Sequence, residues 1–279
     1  MGDISDFDSV FSFLLFDYFL TMEKIKVGRK RLKKISAFLM NFADALMVSG
    51  TQTSRIVRNV KRLSENFDCR VDLIMLPKTI IMTLKAESGI SITTVRKISP
   101  ENPDFTKLSE LRILSWEALS NNYSLEKCES EFDDILKGQK PHWFKIAPIV
   151  AIGNAAFCQL FGGFWSLPLV FTGTLVGFAI RRKLMEKGLG AIPSFACAAF
   201  VSAFIAGIGA IVFDFKTDIA ISTSVLWLVP GVPLLNAVID IFDGHILAGF
   251  SRLVKALELI FAVSFGLLAA ILILGHSII

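Results

Sequence analysis

The chain has 279 residues, a formal charge of +4, 53% hydrophobic and 19% charged residues, and a mean hydropathy of +0.59. Soluble domains carry about 25% charged residues, so these values argue against a disordered chain, a collagen-like chain and an ordinary soluble enzyme. The modest charge gives no footprint for nucleic acid, and the four cysteines (Cys69, Cys128, Cys158, Cys197) form no CxxC pair, which excludes a disulfide framework and a standard zinc site.

The average hides a division. Residues 1–145 hold 22 of the 29 Lys and Arg and 19 of the 25 Asp and Glu. The rest is almost continuously apolar. The chain therefore reads as a small α+β cytoplasmic domain (31–141) followed by an all-α polytopic membrane domain (142–279), with an N-terminal extension at 1–30 that is interfacial or disordered. Within the extension, Val10–Leu20 is apolar but interrupted by Asp17 and too short to span a bilayer. It reads either as an interfacial amphipathic helix, with the basic run Lys24–Lys34 against anionic headgroups, or as a solvated helix start. Met22 is an alternative translation start. The N-terminus is acidic where a secretory signal is basic, so the first domain is expected in the cytoplasm.

In that domain Ile35, Phe38, Leu39, Phe42 and Leu46 recur at helical spacing and predict a helix ending near Ser49-Gly50. A second helix is expected from Thr51 or Thr53, with Ile56, Val57, Val60 and Leu63 on its apolar face. Its Arg55, Arg58 and Arg62 form either an anion-binding face or a solvated one. Three strands follow at Arg70–Met75, Thr79–Lys85 and Ser91–Ile98, rich in β-branched residues and separated by turn residues. Two helices are expected at Phe105–Ser120 and Ser124–Leu136. The domain contains no histidine, since the chain has only His142, His245 and His276; a Ser-His-Asp arrangement is impossible there. No GxxxxGK[ST] or GxGxxG stretch offers a nucleotide phosphate site. Neither catalytic residues, a cofactor nor a metal is expected, and transport would run on a gradient.

Five apolar segments follow, at about Ile146–Gly163, Trp165–Ile180, Ile192–Phe213, Ile219–Ile241 and Leu253–Leu274. Most approach the ~20 residues that cross a ~30 Å hydrocarbon core. Five crossings from a cytoplasmic start place the basic loop Arg181–Lys187 inside, Asp214–Asp218 outside and Asp243–Arg252 inside, in agreement with the positive-inside rule. Gly162-Gly163, Gly173, Gly177, Gly207 and Gly209 mark close helix contacts. The fourth segment contains Val229-Pro-Gly-Val-Pro-Leu-Leu-Asn-Ala-Val-Ile-Asp240. Proline removes a backbone donor and clashes with the preceding turn, so this segment should break near mid-membrane, with a new half-helix beginning around Pro233. Broken helices build binding sites in secondary transporters, and the competing reading is a packed kink. Pro230, Gly231, Pro233, Asn236 and Asn154 are the candidate substrate-binding residues. Asp240 and Glu258 are the candidate ion-coupling residues, as ionisable groups within spans. Asp240 would relay a proton or pair with Arg252; Glu258 would pair with Lys255.

The chain resembles the threonine/serine exporter family, in particular its short two-subunit branch, to which a bacterial succinate exporter belongs. The resemblance covers about residues 33–275. It rests on Ala43–Gly50 followed by Thr53-Ser-Arg-Ile-Val-Arg, on Thr94-Val-Arg-Lys-Ile, on Phe161-Gly-Gly, and on Val229–Asp240 with Ala248-Gly-Phe-Ser-Arg-Leu. It implies a multi-pass protein of the bacterial inner membrane that exports a small hydrophilic metabolite, either threonine/serine or a dicarboxylate such as succinate. It also implies a second small membrane subunit, or a homo-oligomer, that completes the pathway. The alternative function is a membrane-anchored sensor whose α+β domain binds a cytoplasmic ligand.

Overall fold

The computed structural model describes residues 28–99, 103–138, 142–161, 163–214 and 217–275. The segment Val10–Leu20, most of the basic run, Gly162 and His276 lie outside them. The described chain is mostly helical, with one small antiparallel sheet and two compact units: residues 1–138 with 236–249, and residues 139–235 with 250–279.

The first unit begins with helix α1 (28–48), which buries the predicted stripe Ile35, Phe38, Leu39, Phe42 and Leu46. Gly50 follows at φ +84, the left-handed conformation that ends a helix at little steric cost when the residue is glycine. Helix α2 (Thr53–Glu65) contributes Ile56, Val60 and Leu63 to the same core. Strands β1 (Cys69–Leu76), β2 (Thr79–Ala86) and β3 (Ser91–Lys97) pair antiparallel in the order β1-β2-β3. In the central strand Ile80, Met82 and Leu84 are buried while the residues between them are half-buried, the period-2 signature of a sheet with one face on the core. Helices α3 (Phe105–Ser120) and α4 (Leu125–Lys137) complete the layer. Each starts at a side-chain cap: Asp104 Oδ1 accepts from the Lys107 amide at 3.1 Å and Ser124 Oγ from the Lys127 amide at 3.3 Å. The edge-on ring contact of Phe38 with Phe132, at 5.8 Å between centroids, joins α1 to α4. Burial pushes the Cys128 thiol up to about 11, so it is inert core rather than a nucleophile.

The second unit holds α5 (Trp143–Cys158), α6 (Leu167–Glu186), α7 (Ala191–Val212), α8 (Thr217–Ser224), the opening of α9 (Gly231–Phe242) and most of α10 (Ile246–Gly275). Among the described residues three helices, α5 with its short extension to Phe161, α7 and α10, are long and apolar enough to cross a membrane. A fourth span results if the bent pair Asp218–Leu228 and Gly231–Phe242 counts as one. The packing is of the membrane type: small residues inside, large apolar ones outside. Ala198, Ala199, Ala203, Ala206 and Ala210 are buried in α7, whereas Phe261 and Phe265 of α10 are 72% and 74% exposed.

Three boundaries differ from the sequence reading. Helix α6 does not stop at the basic triplet but runs to Glu186, where Arg182 pairs with Glu186 at 2.6 Å, one turn on. Helix α9 begins at Gly231 rather than Pro233, which leaves Pro233 in the first turn, where an amide has no intrahelical partner anyway. The predicted loop Asp243–Arg252 shrinks to Asp243–His245. Gly244 (φ +86) and the His245 amide, bonded to the Asp240 carbonyl at 2.7 Å, close α9 in a Schellman turn. Helix α10 then starts at once, because Gly249 lets it approach α9: a Cβ there would stand 2.7 Å from the Ala237 carbonyl oxygen.

Gly266 of α10 meets the α7 backbone as closely, with a Cβ falling 2.1 Å from the Ala196 carbonyl oxygen. Gly266→Ala should therefore cost about 1–3 kcal/mol and lower the thermal midpoint in detergent. Gly231→Ala, with nothing within 4 Å, serves as the control; equal midpoints for the two would contradict this contact.

Candidate functional site

Helix α8 ends at Ser224, a short 3-10 turn spans Leu226–Leu228, and the chain bends by 59° before α9 begins at Gly231. The cause is local. Pro230 donates no amide hydrogen, and its fixed φ and ring displace the preceding turn. A break in a membrane helix leaves backbone carbonyls that the protein itself must satisfy. Here Asn154 of α5 does so. Its Nδ2 donates to the carbonyl oxygens of Thr223 (3.1 Å) and Ser224 (3.4 Å) and to Thr174 Oγ1 of α6 (2.7 Å). Ser202 Oγ of α7 donates to the Gly173 carbonyl at 3.0 Å beside this cluster's helix. Asn154 thus stands at the C-terminal end of α8, joined to the break rather than remote from it.

After the break, α9 carries Asn236 and Asp240 on one buried face. Within the first unit this face holds the chain between α1 and α2. Asn236 Nδ2 donates to the Gly50 carbonyl at 2.8 Å. The Thr53 amide donates to Asp240 Oδ1 at 2.8 Å, and Thr53 Oγ1 donates to Asp240 Oδ2 at 2.9 Å. Ser54 Oγ donates to Asp243 Oδ2. Helix α2 has no side-chain cap of its own, since Gln52 makes no cap bond and the first turn has no acid. A carboxylate 187 positions along the chain fills that role, satisfying an otherwise orphaned amide at the positive end of the helix dipole. The two stretches Gly50–Ser54 and Asn236–Asp243 come together through these bonds.

Back in the second unit, Arg181 lies among three aromatic rings. Its guanidinium carbon is 4.9 Å from the ring centre of Phe195, 5.4 Å from Trp227 and 5.7 Å from Phe178. Trp227 belongs to the 3-10 turn that leads into the break. Its indole Nε1 is buried and has no hydrogen-bond partner among the described residues. No carboxylate among the described residues pairs with Arg181. The three rings hold the guanidinium by cation–π contacts, and the neighbouring buried indole N–H is left without an acceptor among the described residues. Sequence reading placed Arg181 at a loop start and missed it. The available signal was the Phe178–Arg181 spacing of one helical turn; the contribution of Trp227 depends on the bend.

Of the remaining sequence candidates, Pro230 and Gly231 make the break, with the Gly231 amide bonded to the Val229 carbonyl at 2.8 Å. Pro233 lies in the first turn of α9. Glu258 is exposed on α10, whereas Arg252 is buried. Among the described residues no group of three or more His, Cys, Asp or Glu is placed to hold a metal.

A family model described as a putative threonine/serine exporter matches residues 37–274. A probable succinate transporter subunit of Klebsiella aerogenes is 31% identical over 199 residues, covering 70% of this chain and 76% of that protein. Its Escherichia coli counterpart is 30% identical over 199 residues, covering 70% and 77%. A probable threonine/serine exporter of Mycobacterium tuberculosis is 24% identical over 250 residues, covering 86% of this chain and 46% of that protein. No solved structure matches the chain.

Replacing Asp240 by Ala removes both acceptors of Thr53. The expected cost is about 1–3 kcal/mol for a buried amide left unpaired. Asp240→Asn, which retains one carbonyl acceptor, should cost less. Hydrogen exchange at the Thr53 amide reads this directly: it should accelerate strongly in the Ala variant, and equal protection in wild type and variant would refute the cap.

Proposed function

Because the chain belongs to the threonine/serine exporter family, we propose that it is one subunit of a gradient-driven secondary transporter whose exported metabolite is a small dicarboxylate of the succinate type. The observation that carries the choice of substrate is Arg181. A cation enclosed by Phe178, Phe195 and Trp227, without a protein carboxylate, next to an unpartnered indole N–H, suits an acid better than a neutral zwitterion such as threonine. One carboxylate would take the planar guanidinium fork and the Trp227 Nε1 donor. The break at Pro230 keeps the backbone beside it non-helical, as in transporters whose discontinuous helices line the substrate path. Two relatives named as succinate transporter subunits support the same reading.

In this reading the protein is a multi-pass protein of the bacterial inner membrane with five spans, α6 included, and its α+β domain lies in the cytoplasm. Arg181 then stands at the cytoplasmic end of α6, where a metabolite made in the cell would enter. A second small membrane subunit completes the pathway. Glu258 supports that partner: it is exposed on α10, on a helix whose Phe261 and Phe265 also face outward. A carboxylate facing lipid is costly, whereas one facing a subunit interface or a wet pathway is not. Asn154, Pro230, Gly231, Pro233 and Asn236 are the candidate substrate-binding residues, and Asp240 and Glu258 are the two candidates for the coupling proton.

The test is counterflow of labelled succinate in vesicles containing both subunits. Arg181→Gln should lower succinate counterflow at least tenfold and leave the folded yield unchanged; full activity of this variant, or flux of threonine alone, would overturn the assignment. A second measurement separates binding from coupling. Glu258→Gln or Asp240→Asn should retain counterflow and lose efflux driven by a pH gradient. Unchanged gradient-driven efflux in both variants removes both residues as proton carriers.

A further inference from the structure

The first unit contains a second concentration of positive charge, on the other side of helix α2 from its core face. Arg55, Arg58, Asn59 and Arg62 of α2 and Arg112 and Trp116 of α3 line a cavity of about 250 Å³. Four guanidinium groups therefore converge on a space large enough for a small organic anion. No acidic side chain lines it, and none of the ion pairs among the described residues involves these arginines. Like charges gathered with no acidic side chain in the cavity wall repel one another.

One of the four is held in place. Arg62 Nη1 donates to Asn59 Oδ1 and to Ser115 Oγ, each at 2.9 Å, and its guanidinium carbon lies 3.6 Å from the ring centre of Trp116. Ser115 in turn donates to Asn59 Oδ1 at 3.0 Å. Asn59 is itself fixed by its Nδ2 bond to the Arg55 carbonyl at 2.8 Å. Such a network orders one donor fork before any ligand arrives, and a preordered site loses less side-chain freedom on binding. Burial, then the Arg112 charge, lower the Arg62 guanidinium from its ordinary value; Glu65 raises it, and Arg58 adds a smaller lowering. The group is thus under an electrostatic load that an anion would relieve. Arg55, Arg58 and Arg112 are exposed and free to close on a ligand.

We propose that this cavity binds a small free multivalent anion, one carrying two or more carboxylate or phosphate groups, as a regulatory ligand. Single-charge ligands do not match four guanidinium groups, whereas two or more anionic groups accept bidentate bonds from separate arginines. The ligand would grip α2 on the face opposite its core, on the same helix whose first amide is capped by Asp240 of α9. Occupancy would thereby bear on the helix that follows the break. The binding claim rests on the geometry of the first unit alone and stands or falls independently of the transport reading.

The experiment is calorimetric titration of the full chain, in nanodiscs of neutral lipid, with succinate, citrate, inorganic phosphate and pyrophosphate, and with threonine as the zwitterionic control. At least one multivalent anion should bind saturably and threonine should not. The double variant Arg58→Gln/Arg112→Gln should weaken that binding at least tenfold with a ligand-free thermal midpoint no lower than that of the wild type, while Arg181→Gln should leave it intact. Absence of saturable binding by any of the four anions overturns the proposal. Binding unaffected by the double variant also overturns it, as does binding abolished by Arg181→Gln, which would place the ligand elsewhere. Retention of anionic lipid by the wild type but not by the double variant, with no free anion bound, would assign the cavity to a lipid headgroup and equally overturn it.

Discussion

Pro230 has no amide hydrogen and cannot continue the helix that reaches it, and the rest of the arrangement depends on that constraint. Without the 59° bend between Asp218–Leu228 and Gly231–Phe242, the fourth apolar segment would be one rod with its backbone satisfied internally. With it, two things follow. The carbonyls at the end of α8 require a donor, and Asn154 supplies one. The residues after the break also leave the rod, so Asn236 and Asp240 become part of the first compact unit and bond to Gly50 and Thr53. Within the second unit, the end of α8 before the break is held by the Asn154 side chain.

The charges are arranged to match. Asp240 is buried but has donors, and it faces the positive end of a helix that lacks its own cap. Arg181 is in the opposite situation, surrounded by ring faces that attract a cation but provide no compensating charge. Asp240 accepts two hydrogen bonds from Thr53, whereas Arg181 has ring faces about it and no carboxylate partner among the described residues.

The first unit was legible in the sequence because each element carries a local signature. The stripe Ile35–Leu46 has one period, the alternation of β2 has another, and Gly50, Gly89 and Ser124 punctuate them with conformations or caps that few other residues supply. The Pro-Gly break was legible for the same reason: proline acts on its own backbone. What did not show were contacts between segments far apart in the chain. Nothing in the local sequence announces that Gln52 fails as a cap and that Asp240 replaces it 187 residues later. Nor does it show that Arg181 remains helical and folds back onto Phe178, Phe195 and Trp227. The basic triplet read as a loop because charge ends an apolar run, whereas here the helix continues, with Arg182 and Glu186 paired one turn apart. The four-arginine cavity was half visible as a face of α2; Arg112 and Trp116 come from α3, and only the fold adds them.

The most direct measurement is an experimental structure of the chain, with the proposed second subunit, in a lipid nanodisc at saturating succinate. The expected result is a fourth segment interrupted at Val229–Gly231, with succinate density between the Arg181 guanidinium and Trp227 Nε1. A continuous helix through Pro230, or succinate bound away from Arg181 with Trp227 still unpartnered, would contradict it.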